Sequence, residues 1–189
     1  TEAQKQEIWN GYDAVFNHTL PQVVDSLHPS VSYWASSPKF GRGDKRYLFE
    51  GDAHDWWVWH DSYPFEHFEE EVPRFMSEFG FQSFPSYETI KYFTEQNSID
   101  LNHPSFANHQ KHSRGFSLIK EYMELDFPVP VNGDDYVYMS QVLQAYGMTK
   151  GIYAHRRTKP YNMGTLYWQL NDCWPAVSWS SIDGLGNWK

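Results

Sequence analysis

A chain of 189 residues, 40% hydrophobic and 21% charged, can build one domain with a sizeable core and is too apolar to be a disordered segment. Its formal net charge of −9 argues against nucleic acid, which asks for clustered Lys and Arg, and favours a neutral over an anionic ligand. The lone Cys173 excludes an internal disulfide framework and a cysteine-rich zinc motif, and no run of about 18 apolar residues is present to span a membrane.

In chain order, residues 2–27 read as helical. Ile8, Tyr12, Val15, Phe16, Leu20, Val23, Val24 and Leu27 recur near the 3.6-residue period, and Pro21 predicts a break or a second start. The first residues do not form a signal peptide, and Asn17-His18-Thr19 fits an N-glycosylation sequon, a pattern short enough to arise by chance. Val31 to Trp34 is expected as a short strand, and 39–50, rich in Gly and charge, as a loop. Gly51 to Asp61 reads as a strand end feeding a functional loop. Alternation there sets Asp52, His54 and Trp56 on one side and Trp57 and Trp59 on the other.

An acidic helix is predicted over 65–71, a strand over 74–80, and a helix over 86–93 with Ser86 as N-cap. A polar loop over 94–113 leads to a helix from about Phe116 to Leu125. Asn132-Gly133-Asp134 then caps a long helix with Tyr138, Val142, Ala145, Tyr146, Ile152 and Tyr153 along one side. Met163 to Leu170 is the last strand, almost free of charge. Strands that alternate with helices and lack a polar face predict an α/β fold with a parallel sheet. Four strands in this length amount to half of an eight-stranded barrel, for which ~250 residues are usual. A small doubly wound sheet is the rival. No helix follows the last strand, as one would in a complete barrel.

Three clusters stand out. Glu78, late in an apolar strand between Met76, Phe79 and Phe81, is expensive to bury bare, and at the carboxyl end of a barrel strand such a residue serves chemistry. The alternative is a structural ion pair with Arg74 or another base. Trp168 ends the last strand ahead of Gln169, Asn171 and Asp172, a candidate floor for the C–H face of a sugar; a core Trp with a polar turn is the plainer alternative. Asp52, His54, Trp56, Trp57, Trp59 and His60 combine carboxylate, imidazole and indole, which suits a polyhydroxylated ligand. Asp52-x-His54 also permits a metal, though a lone pair is weak support, and no metal or cofactor is expected. His103, His109 and His112 read as solvated surface histidines. The aromatic share of 19% serves core and site alike.

Together these segments resemble family 2 glycoside hydrolases of the β-mannosidase type. Residues 74–85 (RFMSEFGFQSFP) are similar to the nucleophile strand of that family. Residues 163–172 (MGTLYWQLND), with Trp174-Pro175 and 178–181 (SWSS), are similar to its eighth barrel strand and loop. Residues 51–54 (GDAH) resemble the sixth strand and 33–38 (YWASSP) the fifth. The resemblance implies the second half of a (β/α)8 barrel, about strands 5–8, over residues 1–189. It implies a retaining exo-enzyme that removes terminal β-linked mannose, with a β-mannoside glycan as substrate. Glu78 maps to the nucleophile and Trp168 to an aromatic platform, while Trp56, Trp59, His54 and His60 map to the pocket wall, with His60 a candidate hydrogen-bond partner of the nucleophile.

One departure matters. In the family the acid/base Glu follows an Asn at the end of the fourth strand, and no Asn-Glu pair occurs in this chain. The acid, the first barrel strands and the β-sandwich domains are therefore expected in the remainder of a longer parent chain, itself periplasmic, secreted or lysosomal. Hydrolysis by the 189 residues alone is not expected, and open sheet edges predict self-association. A sibling β-galactosidase or β-glucuronidase, and a non-catalytic carbohydrate-binding domain, are the alternatives.

Overall fold

The computed structural model describes residues 1–189. Thr1 caps helix α1 (Glu2–Asp13): its hydroxyl accepts from Gln4 N, and the Gln4 side chain completes a capping box. A π-helical stretch (Ala14–Thr19) carries the chain into α2 (Leu20–Leu27), where Pro21 sits in the first turn and needs no N–H partner. Nothing in residues 2–27 is buried.

The expected strand at Val31–Trp34 does not form. The segment makes no ladder, and an extended chain without a paired neighbour has nothing to satisfy its backbone groups except water. The next regular element is a 3₁₀ turn (Lys45–Leu48) capped by Asp44.

Two strands are fully formed, β1 (Ala53–Asp55) and β2 (Met76–Phe79), and they pair in parallel. Between them lie two short helices, α3 (Trp57–His60) and α4 (His67–Glu70). The last predicted strand runs extended along the other side of β2. Met76 N donates to Gly164 O, Leu166 N to Met76 O and Trp168 N to Phe79 O, at 3.0, 2.8 and 2.8 Å, with a parallel bridge between Met76 and Thr165. The order is thus β1, β2, then residues 163–168, in sequence and all parallel: a mixed α/β arrangement with few strands.

Helices cover one face. α5 (Tyr87–Thr94) is capped by Ser86, α6 (Gly115–Asp126) follows a loop with a 3₁₀ turn (Pro104–Asn108), and α7 (Gly133–Arg157) is capped by Asn132. α7 packs on α4 and α6, on Phe65 ahead of α4 and on Phe79 of β2. A Cβ at Gly147 would meet Phe65 at 2.2 Å and one at Gly151 would meet Phe79 at 2.6 Å, so glycine permits the approach. Between α7, α6 and the sheet lies an aromatic core that includes Trp59, Phe65, Phe68, Phe79, Phe81 and Tyr122. Asp183 ties the C-terminal loop to α5 by accepting from Ser86 N and Thr89 Oγ1 at 3.1 and 2.7 Å. Burial pushes this carboxyl up, but the Ser86, Thr89 and Asn187 donors outweigh it and hold the group down at about 2.

Candidate functional site

Glu78 lies on β2 and is neither sealed in the core nor paired with Arg74; its side chain keeps 27% of its surface. The ladder brings its partner. β1 and β2 are in register at Ala53 and Met76, and a one-residue irregularity then sets His54 opposite Glu78. Neighbours in a parallel register point to the same face, and His54 Nδ1 stands 3.8 Å from Glu78 Oε2. The other ring nitrogen of His54 faces Asp52 Oδ2 at 3.9 Å. Asp52 is itself engaged by the hydroxyls of Ser37 and Ser77, so the carboxylates of Asp52 and Glu78 flank one imidazole.

Trp56 completes the grip. Its Nε1–H donates to Glu78 Oε1 at 2.8 Å, which pins one carboxylate oxygen and leaves the second toward His54. The expected hydrogen bond from His60 to Glu78 is absent, because the indole of Trp56 takes that place and the His60 ring packs 5.0 Å from it. Asp52, His54 and Trp56 thus share a side. The alternation ends at Trp56, where the chain turns into α3.

That turn also corrects Trp59. It is fully buried, packed edge-on against Phe81 at 4.8 Å and Trp179 at 6.2 Å, so it belongs to the core and cannot form a ligand wall. Trp168 is 45% exposed and sits next to the site, because its backbone N–H bonds to Phe79 O, one residue beyond Glu78. Gly80 permits this: a Cβ there would meet Trp168 O at 2.2 Å. Trp168 lines a cavity of about 160 Å³ together with Gln169, Asp172, Trp174 and Trp179. Asp172 accepts from Ser178 and Ser180 Oγ at 2.6 Å each, which anchors the loop that follows Trp168.

The histidines read as surface groups are half-buried. His109 stacks between Phe93 (4.0 Å) and Trp174 (5.1 Å), and His112 contacts His60 through a ring nitrogen at 3.0 Å. Neither contact has a local sequence signal. The assembled face offers an oriented carboxylate, an imidazole, an indole donor and an exposed indole surface. Such a set suits a neutral, polyhydroxylated ligand better than an anion.

No protein-family model matches the sequence. The chain is 34% identical over 177 residues to Beta-mannosidase B of Aspergillus flavus and 33% identical over the same length to that of Aspergillus niger, in each case 89% of this chain. Among solved structures it matches the crystal structure of Beta-D-Mannosidase from Dictyoglomus thermophilum, with a TM-score of 0.86 and 35% identity over 94% of its length. The chain spans about a fifth of these proteins, 21% of the fungal relatives and 22% of the bacterial chain.

Proposed function

We propose, from the premise that this chain is a β-mannosidase relative matching about a fifth of such a protein's length, that it carries the nucleophile of a retaining exo-β-mannosidase of glycoside hydrolase family 2. The observation that carries this reading is the placement of Glu78. A partly exposed carboxylate at the end of a parallel strand is oriented by Trp56 Nε1–H, beside an exposed Trp168. Two parallel strands and the extended 163–168 segment in sequential order, each followed by a loop that contributes to this face, suit the second half of a (β/α)8 barrel, whose chemistry gathers at the carboxyl ends of its strands.

In the proposed reaction Glu78 attacks the anomeric carbon of a terminal β-linked mannose. A glycosyl–enzyme ester forms as the bond to the leaving oxygen breaks, and water then hydrolyses the ester. Trp56 holds the attacking carboxylate in one rotamer, and Trp168 offers its face to the sugar. A second carboxyl group must protonate the leaving oxygen, from ~5 to 5.5 Å away in a retaining site. Asp52 is occupied by two serine hydroxyls, so the donor is assigned to the longer protein outside these residues.

The test uses the longer polypeptide that contains this chain. A 2-deoxy-2-fluoro-β-mannosyl inhibitor should leave its label on Glu78, and Glu78→Gln should reduce turnover on the order of 10³-fold or more. A label on another residue, or a galactosyl or glucuronyl analogue labelling in its place, would send the reading to a sibling activity. Mannoside binding with no label at all would leave only a carbohydrate-binding domain.

A further inference from the structure

His60 and His112 stand beside the Glu78 face and take no part in the reaction above. His60 ends α3 and His112 lies three residues before α6, and their rings stack 5.0 Å apart at 29° between planes. His60 Nδ1 is 3.0 Å from His112 Nε2. Which nitrogen carries the proton follows from the backbone. Arg114 N–H donates to His112 Nδ1 at 3.2 Å, and a ring nitrogen that accepts is bare. His112 therefore carries its proton on Nε2 and donates it to His60 Nδ1. That nitrogen is then an acceptor in turn, so the proton of His60 sits on Nε2. His60 Nε2 has no partner within the protein, and His60 is exposed.

The surroundings hold the arrangement. Gln110 Oε1 accepts from His112 N at 2.9 Å, while Gln110 Nε2 donates to Gln82 Oε1 at 2.8 Å. The edges of Trp59 and Trp179 wall the His112 ring at 5.6 and 6.3 Å, and Trp56 lies 5.0 Å from His60. An added proton would set N–H against N–H at one of the two ring contacts. The charges agree: burial, His112 and Arg42 push His60 below the usual imidazole range against the pull of Asp61 and Glu78. Burial and Arg114 push His112 down as well.

We propose that His112 is a positioning residue that locks His60 in its Nε2–H tautomer, so that the Glu78 face presents a permanent neutral N–H donor to a hydroxyl oxygen of the bound sugar. The lock stands on the backbone bond alone, whereas the choice of a sugar hydroxyl rests on the carbohydrate reading of the Glu78 site. A neutral donor also suits an uncharged sugar better than an acidic one, which a histidine cation would favour.

Long-range ¹H–¹⁵N correlation spectra of the chain with ¹⁵N-labelled histidine decide the lock without any variant. Both His60 and His112 should show a protonated Nε2 and a bare Nδ1 at pH 7. In His112→Phe, which keeps a ring in the stack but has no proton to give, His60 should become a mixture of tautomers and titrate at higher pH. A protonated Nδ1 on His60 in the wild-type spectrum, or a His60 tautomer unmoved by His112→Phe, overturns the lock. Titration of the longer polypeptide that contains this chain with methyl β-D-mannoside then tests the donor. The His60 Nε2–H signal should shift together with the Trp56 indole N–H, and His112→Phe should weaken binding about fivefold to tenfold. A mannoside that moves Trp56 and leaves His60 in place refutes the donor role. One that moves neither refutes the carbohydrate reading and the donor role together, with the lock judged separately by the tautomers.

Discussion

At the scale of single residues, the hydrogen bond from Trp56 Nε1 to Glu78 Oε1 joins groups 22 residues apart and decides which way the carboxylate faces. On the proposed reading, a carboxylate held in this way reaches the attack geometry without first losing rotamer freedom. Trp56→Phe keeps an aromatic ring beside His60 and removes the donor together with part of the indole's packing surface. On that reading, this variant of the longer polypeptide should lower kcat/KM for an aryl β-mannoside about fivefold to tenfold, the worth of roughly 1 kcal/mol of hydrogen bonding. The loss should fall mainly on kcat if the bond serves orientation; a change confined to KM would assign Trp56 to sugar binding. Trp59, three residues on, shows how little residue type alone says: the same side chain, on the other side of a helical turn, has no surface left to meet a ligand.

At the scale of elements, the contact of α7 with β2 and the last extended segment contains a buried imidazole. His155 Nδ1 bonds Thr165 Oγ1 at 2.8 Å and its ring lies edge-on to Phe79 at 5.0 Å, while Nε2 is buried without a partner. Burial pushes its pKa down to about 4. The unfolded chain takes up this proton near pH 6.5 and the folded chain only near 4. Stability is therefore intact above about 6.5 and falls as the pH drops through that window, by up to about 3 kcal/mol in all. Urea unfolding midpoints measured between pH 7 and 4 should show this decline, and His155→Phe should flatten it. An undiminished slope in the variant would assign the acid sensitivity elsewhere.

At the scale of the whole molecule, three surfaces lack partners. The helical stretch 2–27 turns Ile8, Trp9, Val15, Val23 and Leu27 outward, from 45% to 79% exposed, and buries none of them. The outer edge of β1 and that of residues 163–168 likewise end the ladder with no further strand. Apolar stripes and open edges are surfaces on which chains associate. The 189-residue chain should sediment as oligomers at micromolar concentration, and Ile8→Glu combined with Trp9→Glu should shift it toward monomer. A monodisperse wild-type monomer would contradict this.

The local elements were legible in the residues because their causes are local. Ser86 and Asn132 cap α5 and α7 with their own side chains and Pro21 marks the start of α2, while the extended 163–168 segment is legible from its lack of charge and not from its partner β2, which is distant in sequence. Glu78 and Trp168 were named from the cost of burying a carboxylate in an apolar strand and from a resemblance that spanned most of the chain. The Trp56–Glu78 bond, the His60–His112 pair, the burial of Trp59 and the missing strand at Val31–Trp34 were decided only in three dimensions. The physical reason is common to all four. A cap is satisfied within a few residues, whereas a strand, a buried indole or a shared proton needs a partner that packing brings from 22 residues away or further, or, for Val31–Trp34, does not bring at all.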